Sequence, residues 1–447
     1  MKWLVFVLLL FSLVYADDFE DDLSAFDNEP EAIIEVKQIK EQANQLTGTL
    51  SFASSYNYSH NAPISGQTDY RGISRLKTKL ELALESKLSD KWKSKIEAYA
   101  FYDAIYSLKD TTFTNDTIDT YEKEFEIKEA YILGSLTENI DLKVGRQIVV
   151  WGKSDNIRLN DLINPLDNRE LGMVDIEDLR LPIFMSKLDY YSGVWNLSAM
   201  IIHENRIQRE AAIGSDYLPI QLFIKPNTIF PEDEKPSSSL KNTQYALALN
   251  GRFTGWDFSF YSSRILDHKW HFSKNATTRV YSPVKTLGFA SNIAIKSWLL
   301  TSELVYINGL KFNTTKDEKN RLDFLLGAEY KGITDFTVSL ELAQKHIYNY
   351  ELAMLKAPDS IYQDERQTAL RMSYVFDHEK GTLSYLNTLF LNNSNINGGF
   401  QRLWLNYDLN DDIEINFGLV DYIAGDKITI NALSDNDRLF ADISYHF

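Results

Sequence analysis

Lys153, Asp155, Arg158, Asp161, Asp167, Arg169, Glu170 and Asp175 crowd both signs of charge into one short stretch, "KSDNIRLNDLINPLDNRELGMVD", broken at Asn164-Pro165. Groups at this spacing can pair, repel or set a local electric field. They lack the partners that covalent catalysis needs. No nucleophile motif accompanies them, and no Ser/His or Asp/His arrangement is legible, so the sequence does not read as an enzyme. The histidines (His60, His203, His268, His271, His346, His378 and His446) are scattered without ligand spacing, and cysteine is absent. Neither a metal centre nor any other cofactor is expected. Asp426, Asp435 and Asp437 are hard oxygen donors of the kind calcium takes, yet the template glycine is missing and a solvated loop accounts for them. What remains for the charged stretch is electrostatics, whose effect depends on what holds it.

The elements able to hold it read as strands. Leu76, Leu80, Leu82 and Leu84 share a face opposite Lys77, Lys79, Glu81 and Glu85. Trp92, Ile96, Ala98, Ala100 and Tyr102 alternate with Lys93, Lys95 and Glu97; Leu322, Phe324, Leu326, Ala328 and Tyr330 alternate with Arg321, Asp323, Glu329 and Lys331. Leu403, Leu405, Tyr407 and Leu409 alternate with Arg402, Asn406 and Asp408. A period of two sustained over about ten residues argues for strands rather than helices.

The N-terminal region adds a compartment. In "MKWLVFVLLLFSLVYA", Lys2 precedes an apolar run from Leu4 to Val14, and Val14 and Ala16 are small enough for cleavage before Asp17. Residues 1–16 therefore read as a signal peptide. The run is too short to cross roughly 30 Å of hydrocarbon, and no later segment approaches the roughly 20 apolar residues of a membrane helix. Residues 17–46 form an acidic leader, expected in the periplasm, with ten acidic residues against Lys37 and Lys40. A net charge of −17 would repel phosphate, so a nucleic-acid partner is not expected.

Connection lengths give the strands an architecture. Very short links fall near Ser89-Asp90, Glu138-Asn139, Ser192-Gly193, Thr254-Gly255, Lys296-Ser297, Gly332-Thr334, Lys380-Gly381 and Asn410-Asp411. Long polar links lie between them at 59–70, 107–121, 151–179, 205–241, 266–283, 310–320, 350–364, 394–399 and 421–436. Strict alternation of short and long links is the pattern of an all-β transmembrane antiparallel barrel, with short periplasmic turns and long extracellular loops. Residues 47–447 give about eighteen strands, sixteen if two boundaries are soft. Hydrocarbon offers no partner to backbone amides, so a closed ladder is the form available to an exported chain without membrane helices. The final "RLFADISYHF" places Leu439, Ala441, Ile443, Tyr445 and Phe447 on one face. That alternation, ending on Phe447, resembles the signature by which the barrel assembly machinery recognises such proteins, with Ile443, Tyr445 and Phe447 carrying it.

In that topology 151–179 is the third long loop, expected to fold inward and narrow the lumen, with Lys153, Arg158, Arg169 and Arg180 facing Asp155, Asp161, Asp167, Asp175, Glu177 and Asp178 across it. Lys77, Lys79, Glu81, Lys93, Lys95, Glu97, Glu124, Glu126, Lys128, Lys143, Arg402 and Asp408 are expected to line the wall. The proline-stiffened link 205–241 is the competitor, as a plug or as an external cap. Gly145-Arg146-Gln147, Trp151-Gly152-Lys153-Ser154-Asp155 and Asn164-Pro165-Leu166-Asp167 resemble a segment of proteobacterial porin-like barrels of uncharacterised function, related in style to alginate-export and phosphate-selective porins. The resemblance covers about 25 residues. It implies a channel or exporter of the Gram-negative outer membrane with this loop near the pore, and no particular solute. The leading expectation is passive diffusion of small solutes with a weak preference for cations. The alternative is an outlet for lipid or polysaccharide served by a periplasmic partner. Expected partners are outer-membrane lipid, the assembly machinery and the solutes; a homotrimer stays open.

Overall fold

The computed structural model describes residues 44–63, 67–219, 231–392 and 395–447; the expected signal peptide and nearly all of the acidic leader lie outside them. Eighteen strands form one sheet: β1 (Asn44–Asn57), β2 (Gly72–Lys87), β3 (Trp92–Asp103), β4 (Lys123–Thr137), β5 (Ile140–Gln147), β6 (Ile183–Ser192), β7 (Trp195–Ile202), β8 (Gln244–Phe253), β9 (Trp256–Leu266), β10 (Pro283–Ile295), β11 (Trp298–Leu310), β12 (Lys319–Ile333), β13 (Phe336–Tyr348), β14 (Asp364–Phe376), β15 (Gly381–Asn392), β16 (Asn395–Asn410), β17 (Ile413–Ile423) and β18 (Arg438–His446). Each pairs antiparallel with its neighbours in sequence. The sheet then closes on itself, from Thr49↔His446 to Asn57↔Arg438. Closure removes the free edges that hydrocarbon would not tolerate.

The period of two is the imprint of this wall. Leu80, Leu82, Leu84, Phe260, Leu304, Phe324, Leu326, Leu340 and Leu342 are exposed on its outer surface, where lipid solvates them. Trp298 and Tyr330, ring centroids 4.7 Å apart, meet at the short-turn end, as interfacial aromatics do. Ile443, Tyr445 and Phe447 point outward from the closing edge. Phe447 continues the ladder beyond β18, since Gly48 N donates to its carbonyl at 2.8 Å and its own N–H donates to Gly48 O at 3.0 Å.

Two boundaries depart from expectation. β1 begins at Asn44, three residues before Thr47. The region 394–399 was expected as a long outer loop, but Asn395–Gly399 belong to β16 and Asn392 pairs with Asn395. Asn395, Gly398 and Gly399 serve a bulged hairpin instead. The register shifts between Leu389 and Leu391, and a Cβ on Gly399 would lie 2.2 Å from Thr388 O. Glycine at 399 therefore lets the two backbones meet.

The interior is divided. Met185, Met200, Ile202, Ala246, Ala248, Ile265, Val305, Ile307, Leu325 and Ala343 give the inner wall of β6–β13 a buried apolar surface, interrupted by single charged groups such as Glu303 and Glu341. The inner wall of β2–β5 is ionic instead. There Lys79, Glu81, Lys128, Glu97, Lys95 and Glu129 join in one ribbon of alternating charge, at 2.6, 2.8, 2.6, 2.6 and 3.3 Å in that order. A bulge opposite Ile96–Ala98 lets the consecutive residues Lys128 and Glu129 both serve this ribbon.

Titration should register at the outer end of the closing edge. Asp437, just before β18, accepts from Tyr422 N at 2.8 Å. Burial, together with nearby Asp421, lifts its carboxyl to about 6. A carboxyl raised on folding favours the folded state below its unfolded value near 3.8 and loses that contribution as pH rises through 6. The melting temperature should therefore fall from pH 5 to pH 7.5 more steeply in the natural protein than in Asp437→Asn, as followed by circular dichroism.

Candidate functional site: a loop held inside the barrel

The segment joining β5 to β6, residues 148–182, carries the charged stretch into the barrel. Irregular backbone cannot satisfy its own N–H groups, so burying it requires acceptors from elsewhere. Two inward carboxylates supply them. Glu303 on β11 accepts from the backbone of Lys153 at 2.6 Å, Ser154 at 2.9 Å and Asn160 at 3.1 Å, and from Asn160 Nδ2 at 3.0 Å. Glu341 on β13 accepts from the backbone of Asp155 at 3.1 Å, Asn156 at 3.2 Å and Ile157 at 2.7 Å, and from Asn156 Nδ2 at 3.1 Å. Both carboxylates are nearly inaccessible to solvent, at 3% and 5% exposure. Hydrogen bonds to a buried ionised carboxylate are among the stronger ones a protein makes.

The rest of the segment fits the apolar half-wall. Trp151, Ile157, Leu159 and Ile163 are buried against the inner side chains of β6–β13. Trp151 stacks on Tyr261, centroids 4.7 Å apart. Gly152 sits at φ +88°, and a Cβ there would lie 2.6 Å from Glu303 Oε1, so glycine is needed both for the turn and for the approach. Gly288 in β10 gives the matching space on the wall, where a Cβ would lie 2.0 Å from Asn160 Oδ1.

The charged residues expected at the pore are spread along the loop, and all but Asp155 are paired with an opposite charge where they stand. Lys153 Nζ meets Asp257 on β9 at 2.7 Å. Asp155 stands near Glu341; burial first, then that carboxylate, raises its pKa. Asp161 takes Arg158 at 3.4 Å and Arg180 at 2.7 Å. Asp167 pairs with Arg169 at 2.6 Å, and Arg169 reaches Glu124 on β4 at 2.8 Å. Glu170 is gripped by Arg75 and, at 3.2 Å, by Lys77. Burial alone would push its carboxyl up, but Arg75 and Lys77 hold it well below the usual range. Asp175 meets Arg402 at 2.7 Å. Opposed rows of unlike charge do not form from these residues; paired stations around the wall do.

The expected wall residues divide likewise. Lys77 and Arg402 bind the loop, and Lys79, Glu81, Lys95 and Glu97 belong to the ionic ribbon. Lys93 and Asp408 are exposed near the short-turn end. The following long link enters as well. Arg206 and Arg209 reach Glu126 at 2.9 and 2.7 Å, and Asp216 pairs with Arg438 at 3.0 Å. Residues 220–230 of the expected plug lie outside the described residues. Sequence reasoning did not single out Glu303 or Glu341. The signal was present: in "SELVYI" and "LELAQK" each glutamate takes a position whose inward neighbours are Val305 and Ile307, or Ala343.

A closed barrel of eighteen strands with an apolar belt outside, ionised groups inside and a loop folded into the lumen has the architecture of an outer-membrane porin-like barrel. Residues 22–447 match the family described as a protein of unknown function, DUF1302, and the chain belongs to that family. Among solved structures, OccAB4 of Acinetobacter baumannii aligns over 91% of this chain and 99% of its own, at 13% identity and a TM-score of 0.51. OccK2 (OpdF) of Pseudomonas aeruginosa, solved in complex with glucuronate, aligns over 90% and 96%, at 11% identity and a TM-score of 0.52. At such identities the likeness is one of fold. No curated protein matches the sequence.

Proposed function

We propose that this barrel is a passive channel of the outer membrane for small polar solutes, and that the loop 148–182 narrows it. One observation carries the reading. The loop is fastened to the apolar half-wall by Glu303 and Glu341, while the half lined by β2–β5 keeps an ionic ribbon of partly exposed side chains. A solute passing there exchanges its hydration for alternating ammonium and carboxylate groups, which suits polar cargo of either sign. With paired charges in the lumen, the chain's net charge of −17 leaves a modest preference for cations.

Single-channel conductance of the refolded barrel in a planar bilayer tests this, beside a variant lacking residues 156–176. Steady openings that grow larger on deletion are expected, with a reversal potential in a salt gradient displaced slightly toward cations. Silence from both folded proteins would remove the channel reading and favour an outlet for lipid or polysaccharide export.

A further inference from the structure

A chamber of about 250 Å³ lies beside the loop, between the outer ends of β9–β14 and the link 267–282. Aliphatic side chains, Leu162, Ile265, Val284, Ile307 and Ile347 among them, share its walls with Asp267, His268 and Glu365. Three cations open into the same space: Lys269, Arg321 and Lys345. Arg321 is held by Asp323 at 2.8 Å, and Glu365 lies 3.7 Å from Lys427 Nζ. Asp267 accepts from the backbone N–H of Lys269 at 3.1 Å. Among the described residues, neither Lys269 nor Lys345 has a carboxylate within ion-pair distance. Lys269, Arg321, Lys345 and Lys427, set against Asp267, Asp323 and Glu365, leave one positive charge in excess.

Lys345 is half-buried among these walls and Lys269 stands exposed at the rim, so an anion entering the chamber can meet both ammonium groups and offset the one charge in excess. The aliphatic walls would be wasted on a small hydrated ion. The space, about 250 Å³, is large enough for a short-chain amphiphile. We propose that this chamber binds a small monoanion with an aliphatic body, its carboxylate met by Lys269 and Lys345 and its chain lying on Ile265, Val284, Ile307 and Ile347. The site is distinct from the charged ribbon, and binding there does not require conduction.

Calorimetric titration of octanoate into the folded barrel in detergent tests the assignment, with octylammonium, octanol and acetate titrated into the same micelles. Octanoate should show a saturable site that the three controls lack. Lys345→Met, which keeps an apolar side chain in β13, and Lys269→Gln, outside the strands, should each weaken it at least tenfold while the barrel keeps its heat-modifiable mobility. Absence of saturable octanoate binding, equal binding of octylammonium or acetate, or affinity unchanged in both variants would overturn the assignment. A barrel that binds octanoate but never conducts would sink the channel reading and leave the chamber standing; the converse would sink the chamber alone.

Discussion

Replacing Glu303 and Glu341 together by alanine should turn a quiet, narrow conductance into a larger and noisier one. The two carboxylates accept the backbone N–H groups of Lys153, Ser154, Asp155, Asn156, Ile157 and Asn160. Each buried donor left without an acceptor costs about 1–3 kcal/mol, so losing them all is at least comparable with what burial of Trp151, Ile157, Leu159 and Ile163 contributes to keeping the loop on the wall. The strands need neither carboxylate for their ladders, so folding should persist. Conductance in planar bilayers, recorded beside heat-modifiable mobility, separates the two effects. A double variant that folds and conducts like the natural protein would show that the loop does not limit the pore. Each single variant should act less strongly, because the other carboxylate still holds its half of the segment.

The second large effect is expected at the closing edge. A leucine at Gly48 would bring its Cβ within 2.3 Å of Phe447 Cζ, with Leu82 Cδ2 at 2.9 Å on the other side. The ring cannot stay, and the paired bonds between Gly48 and Phe447 at 2.8 and 3.0 Å are lost with it. In hydrocarbon an unsatisfied backbone group costs several kcal/mol, since no water replaces the partner. The yield of folded barrel should fall by about tenfold or more in Gly48→Leu and in a chain shortened by Phe447, each 1.4 kcal/mol being a factor of ten. The check is the unheated electrophoretic band after refolding into lipid vesicles. Gly48→Ala has the same Cβ and should show a milder form of the defect. Normal yields from both Gly48→Leu and the shortened chain would show that closure does not depend on this contact.

The wall was legible because lipid enforces it. Leu80, Leu82 and Leu84 against Lys79 and Glu81 are sorted by two solvents on opposite sides of one strand, which leaves a period of two in the sequence. Link lengths carried the strand order for the same reason, except at Asn395–Gly399, where turn-forming residues make a bulged hairpin. The divided interior was not legible. In β11, Leu304 faces lipid and Val305 faces the loop, so both sides are apolar and alternation carries no information about which is which. The loop's partners were hidden by distance along the chain. Asp175 answers Arg402, and Lys153 answers Asp257, across separations that no local pattern records. The types and spacing of residues 153–175 marked the segment as unusual; its division into neutral stations follows from carboxylates on strands that come much later.

The fastening of residues 148–182 also bears on the order in which the molecule can be made. Glu303 and Glu341 come 143 or more residues after the groups they bind. The segment leaves β5 long before either exists, and once β18 has zipped to β1 the ring offers no gap in its ladder through which a folded segment could be drawn. The insert must therefore be in place, or threaded from the mouth, before or as the ring shuts. Contacts so distant in sequence form late and slowly. The loop then acts as a mandrel on which the curved half from β6 to β13 is shaped, and a chain that closes empty would be a kinetic trap, with the outline of the native barrel and none of its contents.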